Sequence, residues 1–295
     1  MAGAGPLGAV GMGLTAAALW GGSDFAGGLG ARRAPALLVV AAGHLVTFCL
    51  LMLLCAGTPL PGHGAVALGL LAGMEGALSL ALFYHALSAG AMGVTAALTG
   101  VLTAAVPVLF ALLRQGWPQW TEWGGLAAGA AAIALVAWTR ASGTTRRALL
   151  LGALAGMGFG VQLVLLKLAA EGGVLWAMTT ARAGGLVGVA LALGAQWLRR
   201  DGRSQAAGSS WLVWPGYGWR GYWKMGIAAG VMDALGNGAY MLAAQTGRME
   251  VGAMIASLYP VMTIALAALV LRERPTARQK MGMALAAAAI LLLSR

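Results

Sequence analysis

Two carboxylates lie inside apolar stretches that are long enough to cross a bilayer. Glu75 lies in the stretch 64–87 and Asp233 in the stretch 223–245. A charged side chain at the centre of a spanning helix costs about 2.5–3.5 kcal/mol on insertion scales, so such acids usually face a cavity or a charged partner. A low-dielectric site disfavours the charged form, which lets a carboxyl take up a proton on one side and release it on the other. Two such acids predict a polar chamber of the kind found in transporters.

Polar side chains accompany each acid on its helix. Ser79 follows Glu75 by four residues, and Asn237 and Tyr240 follow Asp233 at steps of four and three. These spacings bring side chains to the same face of a helix. Each acid is therefore predicted to begin a polar stripe that binds substrate or couples its movement to protons. A purely structural pairing of the acids with neighbouring helices is the alternative interpretation.

Arg182 and His44 are the basic side chains at depth. Arg182 lies about nine residues into its helix and needs an anionic partner, because its guanidinium is always charged. Either a substrate carboxylate or Asp233 can fill that role. His44 can titrate near neutral pH, although a simple hydrogen bond inside the bundle explains it equally well.

Aromatic and acidic residues lie near the end of the first stretch. Trp20 is a candidate wall for the cavity, where it would stack on a substrate. Asp24, one turn further on, is expected to pair with Arg32 or Arg33 at the membrane interface instead. Tyr84, near the end of the third stretch, is expected in the aromatic belt at the interface.

Neutral polar residues and prolines complete the candidates. Gln162 and Asn237 can orient a ligand or serve as interhelical hydrogen-bond partners. Pro107 and Pro260 are predicted to interrupt their helices, because proline removes a backbone hydrogen bond. Kinks there can act as gates or hinges, although proline is also common in spanning helices generally.

The composition requires lipid around most of the chain. Of its 295 residues 60% are hydrophobic and 9% are charged, whereas soluble domains carry about 25% charged residues. The net charge of +11 is expected to come from basic residues in cytoplasmic loops and not from a surface that binds nucleic acid. Cys49 and Cys55 imply no disulfide. The chain is predicted to be an all-α, multi-pass protein of the cytoplasmic (inner) membrane, with ten transmembrane helices at 7–28, 34–56, 64–87, 92–113, 120–139, 148–170, 174–198, 223–245, 249–271 and 277–294.

The two halves of the chain repeat each other. The third to fifth stretches match the eighth to tenth at a shift of 157, which aligns Gly69 and Gly73 with Gly226 and Gly230. A shift of 138 or 139 aligns the first two stretches with the sixth and seventh. We expect two five-helix repeats, 1–140 and 141–295, the second containing a basic, aromatic loop at 199–222. Because five is odd, the repeats insert with opposite orientation, a common transporter plan.

Several short motifs are similar to those of a known family. Leu-Trp-Gly-Gly-Ser-Asp-Phe at 19–25 resembles the first-helix signature of the ten-helix, EamA-type branch of the drug/metabolite transporter (DMT) superfamily. Ala-Ser-Leu-Tyr-Pro-Val-Met-Thr at 256–263 and Leu-Arg-Glu-Arg-Pro at 271–275 resemble the end of its second repeat. The first repeat departs from the pattern, with Gly116 opposite Glu273 and Thr103 opposite Pro260. The resemblance implies export or exchange of small metabolites such as amino acids, or of drug-like molecules.

The favoured hypothesis is therefore a secondary transporter, an exporter of small organic metabolites, driven by protons or by the solute's own gradient. Enzyme chemistry is not indicated, since the sequence contains no Gly-x-Ser-x-Gly, His-Glu-x-x-His or Walker motif, and neither a cofactor nor a metal is expected. One alternative is an exchanger of phosphorylated or nucleotide-linked metabolites, which needs several converging cations. The other is a membrane scaffold whose buried charges are all paired.

Overall fold

The regular structure of the described residues is helical. The computed structural model describes residues 6–31, 33–88, 92–115, 117, 119–137, 146–198, 222–246, 249–270 and 276–293. The helices are α1 (Pro6–Ala31), α2 (Ala36–Cys55), α3 (His63–Ser88), α4 (Met92–Gln115), α5 (Trp120–Ala137), α6 (Arg146–Ala169), α7 (Val174–Leu198), α8 (Tyr222–Thr246), α9 (Met249–Ala256), α10 (Tyr259–Val270) and α11 (Ala277–Leu293), with a 3-10 turn at Ala170–Gly172 after α6. The predicted all-α class is confirmed, while the loop predicted at 199–222 lies outside the described residues up to Gly221.

Proline affects two helices differently. The interruption predicted at Pro260 is confirmed, because the predicted span 249–271 is divided into α9, which ends at Ala256, and α10, which begins at Tyr259. Pro260 cannot donate a backbone hydrogen bond and disfavours helical geometry in the residue before it, so the break falls just ahead of it. Pro107 lies inside α4, which continues to Gln115. The interruption predicted at Pro107, in contrast, is wrong.

The outer surface of the helices is strongly apolar. Large side chains such as Leu53, Leu54 and Leu191 are 74%, 65% and 61% exposed, as expected for a surface covered by lipid. By length and composition, four described segments can cross a membrane: Ala36–Cys55, His63–Ala86, Arg146–Gly172 and Val174–Ala195. The protein is thus helical with several apolar spans.

Glycines allow several helices to approach backbone to backbone. A methyl group placed on Gly43 of α2 would lie 2.7 Å from the Cα of Gly230 on α8. The same substitution at Gly73 of α3 would meet the backbone carbonyl of Ala181 on α7. Small residues permit such close contacts between spanning helices. The glycine pairs singled out in the sequence are therefore packing residues.

Helices from the two ends of the chain interleave. The helix α1 packs along α8, α9 and α10, and α3 packs along α6 and α7. The helix α2 packs on α8 and α7, α4 on α6, and α5 on α11. Among the described helices, those of the two halves of the chain therefore pack against each other and do not form two separate bundles.

An aromatic cluster occupies the centre of this arrangement. Tyr84 is 1% exposed, and its hydroxyl lies 3.3 Å from that of Ser23. The expectation that Tyr84 lies in an interfacial belt is wrong, because the missing side chain of Gly27 leaves room for its ring against α1. The ring of the adjacent Phe83 packs edge-on against Tyr259 and Phe159. Of these rings, Tyr259 and Phe159 line the site described next, and Phe83 packs behind them.

Candidate functional site

A polar cavity lies where six helices meet. Its empty space is about 380 Å³, including the open mouth. The helices α1, α3 and α4 contribute one part of the wall, and α6, α8 and α10 the other. The lining residues are Trp20, Asp24, Leu80, Thr103, Phe159, Gln162, Leu163, Asp233, Asn237 and Tyr259.

A buried ion pair forms the edge of the cavity. Arg182 Nη1 of α7 donates to Asp233 Oδ2 of α8 at 2.6 Å. The two side chains are 3% and 16% exposed. Such a short, charge-assisted contact fixes both groups. Of the two partners considered for Arg182, Asp233 is the one it contacts here.

Hydrogen bonds extend from this pair to the first helix. Asn237 Nδ2 lies 3.5 Å from Asp233 Oδ2, and Asn237 Oδ1 accepts a hydrogen bond from Trp20 Nε1 at 3.1 Å. The Trp20 ring in turn packs on Tyr240 and Tyr259, with centroids 5.9 and 6.4 Å away. The indole is thus held by one hydrogen bond and two ring contacts, as a rigid wall of the cavity requires.

Tyr240 supports the cavity without lining it. Its side chain is fully buried, and its hydroxyl donates to the carbonyl oxygen of Leu163 at 3.2 Å. Gln162, the neighbour of Leu163 on α6, does line the cavity. The contact therefore ties α8 to the α6 segment that carries Gln162.

His44 lies beside a second, smaller hollow. This hollow, with about 180 Å³ of empty space, is formed by α2, α3 and α8. Asp233 and Leu80 line both hollows and so separate them. His44 Nδ1 lies 3.1 Å from the carbonyl oxygen of Val40, and its ring packs on Gly185 of α7. His44 is thus a neighbour of the Arg182–Asp233 pair rather than of the main cavity.

Glu75 and Ser79 face a different part of the molecule. Ser79 Oγ donates to Glu75 Oε1 at 2.6 Å, and both side chains lie against Gly158 of α6. Glu75 Oε2 is buried and has no hydrogen-bond partner among the described residues. Glu75 does not line the cavity, so the prediction that the two acids face one chamber is wrong.

The repeat alignment explains the different positions of the two acids. Asp233 aligns with Gly76 and not with Glu75. One residue along a helix is a rotation of about 100°. Gly76 packs against the amide of Gln162, a cavity residue, while Glu75 is turned away toward Gly158.

Six lining residues were not among the predicted site residues: Asp24, Leu80, Thr103, Phe159, Leu163 and Tyr259. Asp24 is 7% exposed, and its expected pairing with Arg33 at the interface is wrong, while Arg32 lies outside the described residues. The four-residue spacing between Trp20 and Asp24 could have identified Asp24 as a cavity residue, because residues four apart share a helix face. Phe159 aligns with Trp20 in the repeat, and both residues line the cavity.

The two prolines flank the site without lining it. Pro107 lies one turn beyond the lining residue Thr103 on α4. Pro260 directly follows the lining residue Tyr259 and packs near Gly100 of α4, where an added methyl group would lie 3.2 Å from its ring. Both prolines are therefore positioned to shape the backbone next to the cavity.

The apolar spans and the polar cavity between interleaved helices define a multi-pass helical membrane protein. The sequence profile of the EamA-like transporter family matches residues 146–295, just over half of the chain. The chain therefore belongs to the EamA-like transporter family of the DMT superfamily, whose members are membrane transporters. The resemblance predicted from the short motifs is confirmed.

Comparison with solved structures supports the fold alone. The chain is similar to a protein of known crystal structure, with a TM-score of 0.70 and 17% sequence identity. The similarity covers 96% of this chain and 95% of the other. No curated protein matches the sequence.

Proposed function

We propose that the protein is a secondary transporter that exports small organic metabolites, such as amino acids or amphipathic drug-like compounds, across the cytoplasmic membrane. The observation that carries this proposal is the cavity. Its wall contains polar side chains such as Asp24 and Gln162 together with aromatic rings, and the buried Arg182–Asp233 pair lies at its edge. Intramembrane ionisable groups are costly and typically mark solute or ion pathways.

The helix contacts support two inverted five-helix repeats, 1–140 and 141–295. With α9 and α10 taken together as one span, α1 to α5 of the first half correspond in order to α6, α7, α8, α9–α10 and α11 of the second. Under this correspondence, the contact of α1 with α8 becomes that of α6 with α3, and the contact of α2 with α8 becomes that of α7 with α3. The contact of α4 with α6 becomes that of α9 and α10 with α1, and α5–α11 maps onto itself. The family match, at 146–295, begins close to the start of the second repeat.

Corresponding helices of the two halves also both supply residues to the cavity wall. The first, third and fourth helices of one half supply Trp20, Leu80 and Thr103. The corresponding helices of the other half supply Phe159, Asp233 and Tyr259. Substrate sites of inverted-repeat transporters lie near the midplane where the repeats meet, so the cavity is where we expect the solute to bind.

The charges of the cavity favour this proposal over the two alternatives. A phosphorylated solute needs several converging cations, but the described lining contains two acids and no lysine or arginine. A scaffold requires that its buried charges be paired and that no cavity exist. The cavity and the unpartnered Glu75 Oε2 do not fit that requirement.

We assign proton coupling to Glu75. Its carboxyl lies at the contact between α3 and α6, which belong to different halves. Unlike Asp233, it has no cationic partner among the described residues. Gain or loss of a proton there changes the charge at a contact that must rearrange when the cavity opens to either side.

Blocking the cavity tests the transport proposal. Leu80 lines both hollows, so Leu80→Trp fills the pathway. Leu78 is 38% exposed on the same helix, and Leu78→Trp is the matched control. Purified proteins in liposomes are assayed for uptake of labelled amino acids, amines and sugars. We expect solute flux in the parent protein and in Leu78→Trp, and loss of flux in Leu80→Trp at an unchanged unfolding temperature. Equal flux in all three proteins, or none above empty liposomes for any solute, contradicts the proposal.

A further inference from the structure

We propose that the cavity binds a monovalent organic cation with an aromatic or apolar body, and that Asp24 is its anionic anchor. This inference deepens the proposed function, since it names the class of solute that the cavity accepts. It rests on two features of the cavity, an uncompensated buried charge and the rings around it.

In its ionised form, Asp24 gives the cavity one negative charge that no neighbouring cation in the described part of the chain balances. Asp24 is 7% exposed and, among the described residues, has neither an ion pair nor a hydrogen bond from another side chain. The other lining acid, Asp233, is neutralised by Arg182 at 2.6 Å. Asp24 and Asp233 line the same cavity. A single positive charge in the cavity would therefore remove the cost of burying the Asp24 carboxylate.

The surroundings of Asp24 suit an organic cation better than a metal ion. The rings of Trp20, Phe159 and Tyr259 line the same cavity. Aromatic faces attract cations within about 6 Å of the ring centroid, and quaternary ammonium groups are typical ligands of such cages. A small hard cation would instead need several oxygen ligands to replace its water. Aromatic walls with one free carboxylate match an amine or quaternary ammonium ion that carries an apolar group.

The arrangement also disfavours anions. An anionic solute would have to approach two acids in a cavity whose described lining supplies no cation. Arg182 is engaged by Asp233 at the edge of the cavity. Selectivity for charge is therefore expected to be larger than selectivity for the shape of the apolar group.

Binding of three small aromatic probes tests the inference. The protein in lipid nanodiscs is titrated with benzyltrimethylammonium, with the neutral N-benzylacetamide and with the anion phenylacetate, and heat or tryptophan fluorescence is recorded. We expect the cation to bind at least tenfold more tightly than either other probe. Asp24→Asn should weaken cation binding at least tenfold, and Asp24→Glu should restore most of it. Glu171→Gln, which removes an exposed carboxylate of the Lys167 pair, should leave it unchanged.

A labelling experiment keeps the test independent of the folding of the variants. In the unmodified protein, a hydrophobic carbodiimide modifies buried carboxyl groups, and mass spectrometry locates the adducts. Benzyltrimethylammonium should slow labelling of Asp24 and leave labelling of Glu75, outside the cavity, unchanged. N-benzylacetamide should protect neither. The inference is overturned if the cation and the neutral probe bind equally tightly, or if Asp24 is labelled at the same rate with and without the cation.

Failure of the cation-site proposal can be distinguished from failure of the transport proposal. Cation binding in nanodiscs needs no transport, so binding without flux in the liposome assay rejects the transport proposal and keeps the cation site. Flux of amino acids or sugars together with no preference for the cation rejects the cation site alone.

Discussion

The Arg182–Asp233 pair yields the sharpest quantitative prediction. Removing one partner of a buried ion pair leaves an uncompensated charge and costs about 3–5 kcal/mol, whereas removing both costs much less. With the two side chains 3% and 16% exposed, we expect the full range for Asp233→Asn and for Arg182→Gln. The double variant should be more stable than either single variant. Since about 1 kcal/mol shifts the unfolding temperature of a chain of this size by roughly 2–4 °C, each single variant should unfold on the order of 10 °C lower.

Thermal unfolding in nanodiscs, followed by tryptophan fluorescence, measures all four proteins of this double-mutant cycle. Lys167→Gln is the control, because it breaks an exposed pair with Glu171 of the kind that contributes only about 0–1 kcal/mol. Additive losses in the double variant would show that the two charges do not stabilise each other. Single variants as stable as Lys167→Gln would refute the burial argument.

Three further predictions concern packing, hydrogen bonding and coupling. Gly73→Ala should lower stability by about 1–3 kcal/mol because its methyl group meets a backbone carbonyl that cannot move aside. The control is Gly64→Ala on the same helix, where the added methyl group enters open space and should leave stability unchanged. Equal unfolding temperatures of the two variants would contradict the packing argument. Trp20→Phe should cost about 1–3 kcal/mol because it leaves Asn237 Oδ1 without its donor; an unchanged unfolding temperature would mean that another donor satisfies it. Glu75→Gln should abolish the pH dependence of liposome flux without preventing solute binding, and flux that keeps its full pH dependence would exclude Glu75 as the coupling site.

Most of the helical framework can be predicted from hydropathy and from the residues that break helices. Apolar stretches separated by short polar turns fix where helices begin and end, and α2, α3 and α7 fall within a few residues of their predicted bounds. Hydropathy does not report backbone continuity, so the break between Ala256 and Tyr259 was not predictable from it. Pro260 alone was an ambiguous signal, because Pro107 lies in a continuous helix.

Part of the site was also accessible from sequence. Helical spacing grouped Asp233 with Asn237, and repeat alignment grouped Trp20 with Phe159. Glu75 was misplaced because depth in the membrane can be read from position in a stretch, whereas the direction of a side chain changes by about 100° per residue. Asp24 was assigned to nearby arginines because neighbours in sequence are visible, whereas the α8 and α10 residues around it are brought there only by folding.

The glycine contacts restrict how the molecule can move. The contacts of Gly43 with Gly230 and of Gly73 with Ala181 bring backbones together, and each joins a helix before residue 140 to one after it. Packed interfaces of this kind rearrange between discrete arrangements and do not deform continuously. In a transport cycle of the kind proposed, moving the two halves of the chain as intact blocks would break both contacts. A movement that keeps them would instead carry the α2–α8 and α3–α7 pairs as units, each combining helices from both halves.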